Sequence, residues 1–232
     1  MMKTLLITLF FSVILMAQEN IAQYGISMKM LGDIGKSTLT MTQKDNKYHM
    51  VMHLQMEKSL SDVEHNYESY GTFKDGVYQP ERFVKYIREG ENETTNYYIF
   101  NYDKKQIQKY TTVVEAKSLL TSFFSSASEE KVVTESFELL TEFTPNDTLT
   151  TFLNAEALLG GKNKMPVTSV GFRKNERNIN LYRDKESFKV VIVDPDEGDD
   201  YSITICIAPD GLVSDIVINE YTMLGKISVA RK

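Results

Sequence analysis

The sequence predicts a mainly β protein, one large antiparallel sheet rolled into a half-barrel or barrel, with a helical insertion near residues 115–160. Three observations carry this reading. Apolar residues alternate with period two from Gln23 onward, turn residues recur at short intervals, and the pattern gives way to helical spacing in the middle of the chain. The 232 residues, 42% hydrophobic and 25% charged, suffice for one ordinary core and are too balanced for a disordered or multi-span membrane chain. No repeat or Pro/Gly/Ser-rich linker divides residues 18–232, so they read as a single domain.

Residues 1–17 read as an address. Met1-Met2-Lys3 is a short positive start, Thr4 through Met16 is uncharged and mainly apolar, and Ala17 precedes the polar Gln18-Glu19-Asn20. This is the pattern of a secretory signal peptide cleaved after Ala17, and its apolar run is too short for the ~20 residues of a spanning helix. The expectation is therefore a periplasmic protein of a bacterium with no transmembrane anchor after cleavage. A lipoprotein needs a Cys directly after the cleavage site, and the single cysteine is Cys206. One thiol closes no intrachain disulfide, so the core must supply the stability.

The strands follow in order. Tyr24 to Leu31, Lys36 to Gln43 and Tyr48 to Lys58 alternate, with Asp45-Asn46 offering the left-handed backbone of a tight turn. Glu64 to Phe73 ends at Asp75-Gly76, and Pro80 sets off Glu81 to Arg88. Gly90-Glu91-Asn92 leads into the aromatic run Thr94 to Tyr102, and Lys104-Lys105 turns the chain into Gln106 to Val114. Six further strands close the chain: Met165 to Phe172, Asn178 to Arg183, Phe188 to Asp194, Tyr201 to Ala208, Leu212 to Glu220 and Leu224 to Ala230.

Between these two sets, Ala116, Leu119, Leu120, Phe123, Phe124 and Ala127 fall at helical spacing and predict a helix over 115–128. Residues 131–144 fit a helix or a strand equally. Asp147 is placed to cap a second helix over 147–159 carrying Leu149, Phe152, Leu153, Ala157 and Leu158, and Gly160-Gly161 ends it.

Several stretches carry a family likeness. Tyr24-Gly25-Ile26 with Gly32 to Leu39, Tyr67-Glu68-Ser69-Tyr70-Gly71 with Asp75 to Pro80, Asn146-Asp147-Thr148-Leu149-Thr150 with Phe152-Leu153-Asn154, and the closing Asp210 to Val213 and Leu224 to Ile227 together span most of the chain. In these the sequence resembles the bacterial domain-of-unknown-function family 3108. The resemblance implies an exported, envelope-associated protein with a half-barrel or barrel similar to periplasmic lipoprotein carriers. It implies no catalytic residues.

The candidate site is a methionine-rich sheet face. Met28 and Met30 share one face of the first strand, Leu39 and Met41 lie on the second, and Met50, Met52, Leu54 and Met56 on the third. Methionine is flexible and polarizable, so such a face adapts to irregular apolar ligands such as acyl chains. The simpler reading, which the sequence favours over a ligand-lined groove, is a core on which the helices pack, with Met filling gaps.

His49, His53 and His65 could suggest a copper site beside these methionines. In one strand, however, His49 and His53 lie opposite Met50, Met52 and Met56 and stand about 13 Å apart, so exposed polar histidines are the expectation. The acidic run Asp194, Asp196, Glu197, Asp199 and Asp200 lacks calcium-loop spacing and reads as solvated hairpin charge. Cys206, between Ile205 and Ile207, reads as an inert thiol. The sequence contains no G-x-S-x-G, H-E-x-x-H, Walker or G-x-G-x-x-G motif, and with a net charge of −6 and no basic cluster, nucleic acid is not an expected partner. The expected function is non-catalytic, without cofactor or metal: binding or chaperoning a hydrophobic envelope ligand such as lipid or lipoprotein. The alternative is docking a protein partner in envelope assembly through a sheet edge or the aromatic strand Tyr97 to Tyr102.

Overall fold

A computed structural model describes residues 18–56, 62–116, 131–140, 142–171, 177–184, 187–193, 202–208, 212–219 and 226–232. The alternating stretches form β1 (Gln18–Met28), β2 (Gly32–Lys44), β3 (Lys47–Met56), β4 (Val63–Lys74), β5 (Val77–Glu89), β6 (Asn92–Asn101) and β7 (Gln106–Ala116). They continue as β8 (Lys131–Leu140), β9 (Lys164–Ser169), β10 (Arg177–Asp184), β11 (Ser187–Val193), β12 (Ser202–Ile207), β13 (Val213–Asn219) and β14 (Ile227–Arg231). The ambiguous stretch 131–144 is thus a strand over most of its length. The helix expected over 115–128 begins on residues that belong to β7, and its remainder lies outside the described residues, as do the segment 1–17 and the acidic run.

All fourteen strands join one antiparallel sheet, in the order β8-β7-β6-β5-β4-β3-β2-β1-β14-β13-β12-β11-β10-β9. The chain walks outward from β1 to β8, crosses to the far edge, and walks back from β9 until β14 lies against β1. β8 and β9 are the two ends and do not pair, so the sheet is an open half-barrel. The turn chemistry is as the sequence requires: Asp45, Asp75 and Lys105 take positive φ at hairpin tips. β5 starts before Pro80 and carries it at a register shift opposite Tyr70 and Gly71, the kind of bulge where a strand tolerates a residue without an N–H.

One parity of each strand faces inward. Met41, Met50, Ser69, Phe83, Tyr98 and Lys109 lie side by side across β2 to β7, and each is buried. From the other half, Ile179, Leu181, Ile205, Ile207 and Val229 complete the core. The crossover between β8 and β9 lies on this inner face. It carries two short helices, α1 (Thr150–Leu153) and α2 (Ala155–Leu159), where the sequence predicts one. They part at Asn154, whose backbone (φ −88°, ψ 5°) is no longer helical. Gly160 ends α2 in the left-handed conformation expected of it. No helix among the described residues is long and apolar enough to cross a membrane.

Candidate functional site

The structure divides the predicted methionine face into two ends of one inner surface. Toward the β2–β3 turn, Leu39, Met41 and Met50 are buried beneath the crossover, where Leu149, Phe152 and Leu153 meet Leu39, Met50 and Met52 around a gap with room for about one water. That end is core. Toward the opposite end of β1 and β3, Met28, Leu54 and Met56 pack against the core yet stay half-buried, and the half-buried Met52, beside Leu39, lies between the two ends. Met30 does not belong to the face. β1 stops at Met28, the Leu31 N–H closes a turn on the Met28 carbonyl (3.1 Å), and Met30 projects from that turn, 67% exposed.

The crossover is fastened by a polar cluster that is itself buried. Asp147 accepts the Ser69 hydroxyl proton at Oδ2 (2.6 Å) and the N–H groups of Leu149 and Thr150 at Oδ1 (2.8 Å each), the cap the sequence predicts. With the Ser69 proton committed, Tyr48 donates to Ser69 Oγ (3.0 Å). Burial pushes the Asp147 carboxyl up to about 6, against the pull of these donors, and drives the Tyr48 hydroxyl up as well. Ser69 and Asp147 are completely buried, so the pair meets no substrate and acts as a fastening.

Two further fastenings escaped the sequence reading. Asn154 grips the backbone of Tyr78, accepting its N–H at Oδ1 and donating Nδ2 to its carbonyl, both at 2.8 Å. The amide substitutes for a strand where β5 runs beyond its β6 partner, whose pairing reaches only Arg82. Lys85, also inward-facing and buried, donates to the Gly171 carbonyl (2.9 Å). Gly171 sits at φ +88°, and a Cβ there would lie 2.3 Å from the Phe83 ring. Only glycine lets the chain approach that closely.

The histidines divide by strand parity. His49 and His53 lie on the outer face, as expected, where His49 Nε2 reaches Glu68 (2.9 Å) and His53 reaches Asn66 beside the Arg88–Glu64 ion pair (2.6 Å). His65 overturns the expectation of an exposed histidine. It shares parity with Tyr67 and Ser69, faces inward between Leu54 on β3 and Ile87 on β5, and has Nδ1 3.3 Å from Tyr67 Oη. Burial, then the charge of Lys85, lowers its pKa to about 4, so the ring is neutral at pH 7. Its Nε2 is buried and has no hydrogen-bond partner among the described residues. The parity of β4 was the signal that could have found it. Cys206 is half-buried on β12, and no three His, Cys, Asp or Glu side chains converge to hold a metal among the described residues.

A second candidate surface lies at the sheet's edge. All of β8 but Leu140 is exposed, including Val132 (45%), Val133 (59%), Phe137 (58%) and Leu139 (45%). On its outer face Phe137 continues an aromatic row with Tyr110 (ring centroids 5.0 Å apart) and Tyr97 (6.4 Å from Tyr110). Among the described residues no strand pairs with the outer edge of β8.

Comparison with known proteins adds three findings. The family model described as "Protein of unknown function (DUF3108)" matches residues 23–230. A crystal structure described as a beta-barrel-like protein of domain of unknown function DUF1849, from Brucella abortus, is similar at a TM-score of 0.48 and 11% identity, covering 94% of this chain and 95% of that one. No curated protein matches the sequence.

Proposed function

We propose that this chain, which belongs to the DUF3108 family, is an exported, non-catalytic protein of the bacterial envelope that binds an apolar ligand at the unplugged end of its half-barrel. One observation carries the reading. On a single inner face, Leu39 and Met50 are buried beneath the crossover, while Met28, Leu54 and Met56 stay half-buried farther along β1 and β3. Polarizable side chains held at the mouth of an open sheet suit a flexible hydrocarbon. The segment Met1 to Ala17 supports export.

Native mass spectrometry on protein exported in a bacterial host and purified without detergent tests it. The expected result is an N-terminus at Gln18 and a lipid-sized adduct that Met56→Asp abolishes while the protein stays folded. An adduct that survives Met56→Asp, or a clean apo mass from freshly exported protein, overturns it.

The exposure of β8 favours a second reading, in which a partner adds an extended segment to that edge. Photocrosslinking from position 137 in cells should then trap a discrete protein that β8 variants lose. A protein trapped equally well from an outer-face position remote from β8, such as 53, would dismiss the edge as its docking site.

A further inference from the structure

His65 is the place where the inner face leaves a polar atom without a purpose in the fold. Buried donors and acceptors are nearly always paired, because an unpaired one loses its hydrogen bonds to water with nothing in return. Among the described residues the Nε2 atom has no partner, although Tyr67 Oη satisfies the other nitrogen of the same ring. The tautomer follows from counting protons. If the Tyr67 hydroxyl donates to Nδ1, the single unmet group is an Nε2–H. If Nδ1 donates instead, both the Tyr67 proton and the Nε2 lone pair go unmet. The first arrangement leaves fewer groups unsatisfied, so Nε2 carries the hydrogen. On the same inner face its strand neighbours are the half-buried Leu54, Met56 and Ile87, and Lys85 lies two residues from Ile87 on the same face of β5. A lone N–H beside a cation, set in an apolar wall, calls for an oxygen acceptor at the end of a hydrocarbon.

We propose that His65 Nε2–H is the polar anchor of the ligand site and hydrogen-bonds the acyl oxygen of a long-chain ligand whose hydrocarbon lies along Leu54, Met56 and Met28. The assignment rests on the apolar-ligand reading above and deepens it by naming the head group. Acyl oxygen is offered by two sources, the carboxylate of a free fatty acid and the ester carbonyl of an acylated lipid. The Lys85 charge favours the carboxylate, and the experiment separates the two.

The test measures displacement of the fluorescent hydrocarbon diphenylhexatriene from the exported chain by sodium oleate and by methyl oleate, in wild type, His65→Leu and His65→Gln. The expected result is that the hydrocarbon binds all three proteins. Oleate should displace it from wild type at about tenfold lower concentration than from His65→Leu, the size of one buried hydrogen bond. His65→Gln, which restores a donor, should recover most of the difference. Oleate outcompeting methyl oleate identifies the free acid, and equal competition identifies any acyl carbonyl. Both outcomes support the anchor. Equal displacement from wild type and His65→Leu overturns the anchor while leaving the apolar site standing. Failure of diphenylhexatriene to bind wild type overturns the site itself and the anchor with it.

A second measurement covers the case in which His65→Leu does not fold. In wild-type protein with labelled histidine, oleate should move the Nε2–H proton and nitrogen resonances of His65. Unchanged resonances at saturating oleate would sink the assignment.

Discussion

Met50 and Met56 sit on the same face of the same strand, about 20 Å apart along it, yet they have different fates. Met50 is 2% exposed beneath Leu149 and Phe152, whereas Met56 stays half-buried near His65. Residue type and alternation are the same, so the difference arises from what covers each end. The crossover between β8 and β9 lays its short helices over one end and leaves the other. β8 extends the lesson. It carries Val132, Val133, Phe137 and Leu139, an apolar content that would suit a core, and all four are exposed at the sheet's edge.

The sealed end should break first. Asp147→Ala leaves the Ser69 hydroxyl and the Leu149 and Thr150 N–H groups buried without their acceptor. It should destabilise the fold by about 4 kcal/mol, read as a lowered urea midpoint with unchanged slope. A loss under about 1 kcal/mol would mean that the crossover is held by its apolar contacts alone.

The two ends also titrate in opposite senses. Asp147 ionises at about 6 in the fold against 3.8 ordinarily, so its contribution is fully present below about pH 4 and is lost as pH rises through 6. His65 falls from 6.5 to about 4, so its contribution is present above about pH 6.5 and is lost as pH falls through 4. In the wild type these slopes oppose each other. Asp147→Asn should expose the histidine slope, with stability falling by about 3 kcal/mol from pH 6.5 to 4 relative to the double variant Asp147→Asn/His65→Gln. His65→Gln should show the reverse trend. Parallel profiles for the two variants would remove the contrast.

A gentler comparison uses the two methionines themselves. Met50→Ala should cost about 3 kcal/mol, because the packed surroundings cannot fill the cavity, and Met56→Ala about 1 kcal/mol or less. Equal costs would mean that the open end is as well packed as the sealed one. The smallest effect belongs to β8, where Phe137→Ser should change stability by less than about 0.5 kcal/mol while lowering any association through that edge, seen by analytical ultracentrifugation.

Much of this was legible in advance wherever one residue's chemistry constrains its own neighbourhood. Asp45 and Asp75 announced turns through their tolerance of positive φ, and Gly160 announced a helix end. Asp147 announced a cap and proved to be one. Alternation placed Leu39, Met41 and Met50 on one inward face. It misplaced Met30, because the strand ends at Met28, and strand ends depend on where the partner chain turns. It left His65 among the exposed histidines, although β4 parity sets it with Tyr67 and Ser69. The role of Asn154 was not legible at all: its amide replaces a strand for Tyr78, 76 residues away in sequence. That pairing exists only once the crossover lies on β5.

By itself, then, the sequence determined the period-two strands, their turns and the helical break, because these follow from backbone preferences and local side-chain spacing. The tertiary structure alone decided that β14 closes on β1, that β8 and β9 remain unjoined, and that the crossover seals one end of the methionine face. Those outcomes depend on non-local pairing and coverage, in which residues far apart in sequence compete for the same surface, and no spacing within a strand records which of them will win.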